Sequence, residues 1–312
     1  AGIFRAWFSM GSENTAIQLA CLLILLVGFI LILERMSQKQ SKFYYQTNTK
    51  QKPLTMPKLS TRFAIYMSCS VPFILGFLIP LIYILNNSIQ QFMMVDFSRL
   101  FALSFNSIKV SFIASVFIIL IALFFLYVEK ISKLKLNTII TNITSLGYVI
   151  PGAVIGLAVI LLFTQFPFFN NHLLVGSFFV LIYAYIFRFL AVGKSPIKSS
   201  LDKQPNAIED TSKVLGVNSF KALKTIHLPL NKMALVIAFI VTFIDLLKEL
   251  PITLILRPFN FDTLATQTYE FAVEEMLKAS SIYSLMIIVI GSVLLILLKY
   301  ITNKQIHAFR SF

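Results

Sequence analysis

The sequence predicts an all-α, polytopic membrane helix bundle with seven transmembrane helices, and three observations carry that expectation. The 312 residues are 57% hydrophobic and only 13% charged, whereas soluble domains are nearer one quarter charged. The apolar residues gather into seven continuous stretches, long enough at ~1.5 Å per residue to cross a hydrocarbon core of roughly 30 Å. The basic residues alternate between those stretches with the asymmetry that sets orientation in a bilayer.

The stretches lie near Ala16–Leu33, Phe63–Leu85, Val110–Val128, Ile140–Phe163, Leu173–Val192, Met233–Leu256 and Ile282–Leu298. Inside a bilayer only helices or a closed barrel satisfy the backbone. The runs are continuous rather than alternating, and most exceed a barrel strand in length, so helices are expected.

Orientation follows from the lysines and arginines. Seven lie between Arg35 and Arg62 with no acid among them, Lys130, Lys133 and Lys135 follow, eight run from Arg188 to Lys232, and Lys299, Lys304 and Arg310 close the chain. The alternate side carries six acids: Glu13, Asp96, Asp262, Glu270, Glu274 and Glu275. This places the N-terminus outside and the C-terminus in the cytoplasm. The net charge of +14 is thus topological, and no nucleic-acid partner is expected. The membrane lipid is.

An outside N-terminus at Ala1, with no start methionine and no signal peptide, raises the expectation that an upstream half is missing. An internal echo fits: "GIFRAWF…ENTAIQLACLLILLVGFILIL" and "QTYEFAVEEMLKASSIYSLMIIVIGSVLLIL" share an aromatic entry, an alanine before the span and a mid-span glycine, and repeats are common in transporters. Cys21 and Cys69 lie in apolar runs and are expected to be small core residues, not a disulfide or zinc pair.

One polar insert interrupts the pattern. Asn206 to Glu209 fits a capping box after Pro205. Gly216 is placed to end that helix in the left-handed conformation. A second helix is expected from about Ser219, with Phe220, Leu223 and Ile226 on one face, before Pro229 starts the next span. On the residues alone, this is either an amphipathic loop on the headgroups or a docking element.

The spacing of Asp210-Thr211-Ser212, Gly216 and Ile226-x-Leu228-Pro229 resembles the EAA loop of binding-protein-dependent ABC importer permeases. In that family a glutamate-alanine-alanine triplet is followed by a glycine and then by an aliphatic-x-Leu-Pro. Here Asp replaces Glu, and Thr and Ser replace the alanines. The resemblance implies an ABC importer permease core, with a coupling helix that inserts into a cleft on a dimer of cytoplasmic ABC ATPase subunits. It implies cargo supplied by an extracytoplasmic binding protein.

"SFNSIKVSFIASVFIILIALFFLYVEK" with "GYVIPGAVIGLAVILL" is similar to the first core helices of that fold. "DLLKELPITLILRPFNFDTLATQTYEF" looks like a signature of ferric-iron permeases, often two fused halves, and implies a ferric-binding protein as the donor. The implied division is residues 1–34 as the last helix of a preceding half, 35–62 as a basic cytoplasmic linker, and 63–312 as a six-helix permease domain with its coupling loop at 194–231. The outer loops around Phe259 to Glu275 would meet the binding protein.

Asp245, Lys248 and Glu249 lie at i, i+3 and i+4 and are expected to share one helix face. Charges within a span usually face a bundle interior or an aqueous route. They read either as lining of that route, with carboxylate oxygens suited to ferric iron, or as a self-neutralised cluster near a bend at Pro251. Pro151-Gly152 reads likewise as a break lining the pathway or as a packing kink.

No catalytic site is expected. Gly193-Lys194-Ser195 ends like a nucleotide-binding loop, but Arg188 stands where its first glycine belongs and no strand precedes it. His172, His227 and His307 are scattered, so neither a metal site nor a cofactor is expected. A membrane enzyme fits poorly; ATP hydrolysis would fall to a partner. An ABC permease for another small solute such as a polyamine or sulfate, and an ion-coupled secondary transporter, remain the other readings. The spaced insert separates the ABC reading from the secondary transporter, which has no need of it.

Overall fold

The computed structural model describes residues 2–38, 58–132, 134–165, 176–205 and 207–310. Among these the secondary structure is entirely helical. After short helical turns at Gly2–Phe4 and Arg5–Ser9 come α1 (Glu13–Gln38), α2 (Leu59–Met94), α3 (Phe97–Ser132), α4 (Lys135–Ile143), α5 (Gly152–Gln165) and α6 (Phe178–Asp202). Then follow α7 (Ala207–Val214), α8 (Ser219–Leu247), α9 (Pro251–Leu256), α10 (Leu264–Val273) and α11 (Leu277–Arg310).

Among the described residues, five helices are long and apolar enough to cross a bilayer: α2, α3, α6, α8 and α11. The stretch containing α4 and α5 is bent by 111° and counts as a sixth only if taken as one span. Helix α1 is apolar over the shorter run Asn14–Ile30.

Two of the expected spans are therefore interrupted. Ile140–Phe163 breaks between α4 and α5, where Pro151 lacks an N–H and its carbonyl instead accepts the amides of Val154 and Ile155, at 3.0 and 3.2 Å. Met233–Leu256 breaks between Leu247 and Pro251.

Elsewhere helices continue through prolines, at Pro80 within the expected span Phe63–Leu85 and at Pro229 where a new span was expected to start. Pro80 and Pro229 each follow a π-turn, Ile74–Leu78 and Leu223–His227, that ends two residues earlier. A wider turn relieves the clash between a proline ring and the carbonyl one turn back. So Pro229 does not start a separate span: the second insert helix and the span are one helix, α8. Likewise α6 runs on through Pro196 to Asp202, so the first residues of the expected 194–231 loop are helical.

The core lies where α3, α5, α6, α8 and α9 meet, around Ile118, Leu181, Tyr185, Ile197, Ala238 and Ile252. Helix α3 turns a stripe of small residues inward, Ser104, Ser107, Ser111, Ala114, Ser115 and Ala122, all buried. Small side chains let helix backbones approach, which is how packing is won in lipid. Helix α1 packs on α5 in the same way, Ala6, Ala16 and Ala20 meeting Ala153, Val154 and Leu157.

Helix α2 is nearly bare, with only Asn87 and Ser88 buried near its end. Cys21 and Cys69 are exposed, which corrects the expectation of core cysteines: both lie on outer helix faces, where an apolar thiol is at no disadvantage in lipid.

Two glycines are required by close approach. A Cβ on Gly147 would overlap the backbone carbonyl of Phe187 in α6, whereas one on Gly193 would meet side-chain ends, Ile118 Cγ2 at 2.7 Å and Ile119 Cδ1 at 3.1 Å. Gly147→Ala should cost more than the roughly 1–3 kcal/mol usual for overpacking, and Gly193→Ala should stay within it, because an isoleucine can rotate away and a backbone cannot. Thermal inactivation midpoints in detergent give the order; a more stable Gly147→Ala than Gly193→Ala would contradict it.

Candidate functional site

The insert folds as a helix, a glycine corner and the start of α8. Helix α7 ends at Val214, and Gly216 adopts φ +65°. The Val217 amide then donates to the Ser212 carbonyl at 3.0 Å, the bond that closes a left-handed glycine cap. Asn218 caps α8 by accepting the Phe220 amide at 3.3 Å. Asn206, expected to open α7, lies outside the described residues.

Of the triplet, Asp210 and Thr211 are exposed and Ser212 is buried. Ile226 and Leu228 are half-buried and Pro229 is exposed. Val214, Leu215 and Phe220 are 87%, 72% and 74% exposed. Phe220 therefore points away from Leu223 and Ile226, which are half-buried, and an apolar crest stands around the corner.

The base of the insert is tied to α3. The Tyr127 hydroxyl donates to the Ser219 carbonyl, and its ring meets His227 edge-on at 5.3 Å. Lys130 Nζ donates to the Leu201 carbonyl at 3.1 Å and to Gln204 Oε1 at 3.3 Å. His227 Nδ1 lies 3.3 Å from the same Gln204 oxygen. The ends of α3, α6 and α8 thus share one polar knot, which sequence spacing could not show because its members are 92 and 71 residues apart.

The second cluster lies where both broken spans meet α6. Glu249 is 6% exposed and pairs through Oε1 with Arg188 Nη1 at 2.9 Å. The same oxygen accepts the Ile252 amide at 3.0 Å, at the start of α9. Tyr185, one turn before Arg188, shares a hydrogen bond with Thr253, and the Thr253 hydroxyl donates to the Glu249 carbonyl at 2.8 Å.

Gly152, the first residue of α5, is what admits the guanidinium. A Cβ there would overlap Arg188 Nη1 and stand 2.9 Å from Glu249 Oε1. Pro151 and Gly152 are thus brought to Glu249 by a residue that charge counting had placed on the cytoplasmic side.

Asp245 and Lys248 pair at 2.9 Å, as expected. Glu249 does not join them on one face, because α8 ends at Leu247 and the chain turns before α9. The Lys248 side chain is 62% exposed and that of Asp245 17%. Among the described residues, no three His, Cys, Asp or Glu side chains are grouped to hold a metal ion.

Lys194 is the other residue the sequence concealed. It is 4% exposed; its Nζ donates to the Thr141 carbonyl, to Thr144 Oγ1 at 3.1 Å and to Ser145 Oγ at 2.6 Å. A buried ammonium at the end of α4 meets the helix's free carbonyls and the negative end of its dipole.

On the far side, Arg257 bridges Asp262 and, at 2.7 Å, Glu270. Thr263 and Thr266 form a reciprocal cap on α10. Phe259, 94% exposed, stands beside Asn260 in the left-handed region.

No family model matches the chain. The Fe(3+)-transport system permease protein FbpB 2 of Haemophilus influenzae is 26% identical over 307 residues, 95% of this chain and 59% of that protein. The chain therefore spans about three fifths of that relative's length. Among solved structures, a bacterial alginate ABC transporter in complex with an alginate pentasaccharide-bound periplasmic protein superposes with a TM-score of 0.61 at 14% identity, over 78% of this chain and 94% of that one. A bacterial ABC transporter involved in import of the acidic polysaccharide alginate gives 0.62 at 12% identity, over 78% and 96%. The chain has the fold of ABC importer permeases, and along nearly its whole length its sequence is similar to that of a ferric-iron transport permease.

Proposed function

We propose that the chain is the transmembrane permease part of an ABC importer in a bacterial inner membrane, moving ferric iron into the cytoplasm. Cargo arrives from an extracytoplasmic ferric-binding protein, and ATP hydrolysis takes place on a separate dimer of ATPase subunits. The observation that carries this reading is the Gly216 corner with its exposed crest of Val214, Leu215 and Phe220. Large apolar side chains on a polar insert fit a partner cleft better than water. The cargo follows from the similarity to the ferric-iron permease.

In this reading the insert lies in the cytoplasm, with the N-terminus outside and the C-terminus inside. The first helix is the last of a preceding half, and residues 63–312 form the permease domain. The apolar packing of α1 on α5 is the contact such a half would make. Asp210, Thr211, Ser212, Gly216, Ile226, Leu228 and Pro229 form the coupling element.

Through the Tyr127–Lys130–Gln204–His227 knot, a displacement of that element reaches α3 as well as the two flanking helices. Pro151, Gly152, Asp245, Lys248 and Glu249 border the route, where interrupted backbone at membrane depth is tolerated beside an aqueous path or within protein. Phe259 and the α10 cap face the binding protein.

Uptake of labelled ferric iron by the complete transporter, in cells lacking their own system, tests the reading. Wild-type uptake should require ATP. Gly216→Val puts a β-branched residue in the left-handed region, a strain of about 1–2 kcal/mol at a site with open space around it. It should lower uptake several-fold while membrane insertion is unchanged. Wild-type rates in this variant would remove the corner from the coupling role, and uptake indifferent to ATP would remove the ABC reading.

The two carboxylates should differ. Asp245→Asn, whose partner Lys248 is exposed at the protein surface, should change uptake by less than about twofold. Glu249→Ala strands a buried arginine and should lower it by about tenfold or more. Equal uptake in the two variants would take Glu249 off the route.

A further inference from the structure

The Arg188–Glu249 pair sits where both helix breaks meet α6, with Gly152 of the first break and Glu249 of the second beside one guanidinium. Neither charge is placed for cheap stability: a buried pair recovers its desolvation only when well satisfied. Here it is only partly so: the guanidinium has five donors and lies over the Phe189 ring at 5.3 Å, but its buried Nε has no hydrogen-bond partner among the described residues. The two charges also ride on different bodies. Glu249 belongs to the turn between α8 and α9, whereas Arg188 lies within α6, which continues unbroken to Asp202 at the edge of the insert. That distance is about 21 Å of helix, with Pro196 inside it, and a shift of α6 by a few ångströms relative to the turn that carries Glu249 would separate Nη1 from Oε1.

We propose that Arg188 is a gating residue for a multivalent cation: it neutralises Glu249 while the route is closed and is drawn off when the insert moves, leaving a bare carboxylate for the passing cation. Return of the guanidinium displaces the cation and closes the route. Ligand chemistry agrees, since a carboxylate freed from its counter-charge is a hard oxygen donor suited to a trivalent ion. Gly152 is part of the device, because only a residue without a Cβ leaves room for the guanidinium beside Glu249. The inference rests on the import reading above.

Three variants test it in proteoliposomes holding the complete transporter and its ATPase subunits, with labelled ferric iron presented on the binding protein. Gly152→Ala keeps both charges and pushes them apart; Arg188→Gln removes the cation; Arg188→Lys restores it. ATP-independent entry should rise at least about tenfold in the first two, since a broken buried pair forfeits more free energy than a tenfold change requires. It should fall back towards wild type in Arg188→Lys. A role confined to holding the fold would lower protein yield and leave ATP-independent entry unchanged. Wild-type ATP-dependent uptake with tight Gly152→Ala and Arg188→Gln variants would overturn the gate and leave the import reading standing. Absence of iron uptake in the wild type would overturn the import reading, and the gate with it.

Discussion

A helix interrupted inside a bilayer has to be sheltered by protein, and this chain interrupts two helices against the same neighbour. Helix α6 answers both breaks with side chains of its own. Lys194 takes the free carbonyl and hydroxyls at the end of α4, Arg188 holds the carboxylate before α9, and Tyr185 reaches Thr253 within α9. Gly147 lets the first break lie directly on the backbone of α6. Remove α6 and three sets of polar groups would lose their partners, each at a cost of several kcal/mol where no water replaces them. Gly152 at the start of α5 and Glu249 before α9 both meet this one helix.

That dependence explains which features could be read from sequence. Hydrophobic runs and basic loops are local signals, so the helical bundle was legible, and so was the Gly216 corner, because glycine in the left-handed region is a property of one residue. The break at Pro151 was visible for the same reason. What escaped was everything paired over long separations. Arg188 looked like the first base of a cytoplasmic loop because its partner is 61 residues away. Glu249 looked like a neighbour of Asp245 because helical spacing assumes that the helix continues, and α8 stops at Leu247.

Lys194 reads in the sequence as one of eight loop bases and as the lysine of a failed nucleotide-binding motif. Its role is set by where α4 ends, which no spacing around residue 194 encodes. Pro229 misled in the opposite sense. It read as a boundary, yet it follows a π-turn that widens the helix and admits the ring, as Pro80 does within its span. The consequence at Pro229 is mechanical: the insert's second helix and the span are one helix, so no loop separates the exposed crest from the core around Ala238.

Charge balance completes the account. At the junction two carboxylates face two cations, Asp245 with Lys248 and Glu249 with Arg188, so the resting cluster is neutral. A neutral cluster neither attracts a cation nor strands an uncompensated charge in a medium that penalises it. A trivalent ion entering that cluster brings charge the resting arrangement cannot accommodate, and the local remedy is to free a carboxylate. Of the two, Asp245 is paired with a lysine whose side chain is 62% exposed, so freeing it leaves no buried cation behind. Glu249 is held by an arginine on the helix that leads to the insert. In the proposed importer the buried carboxylate is therefore the one whose counter-charge a movement of the insert would shift.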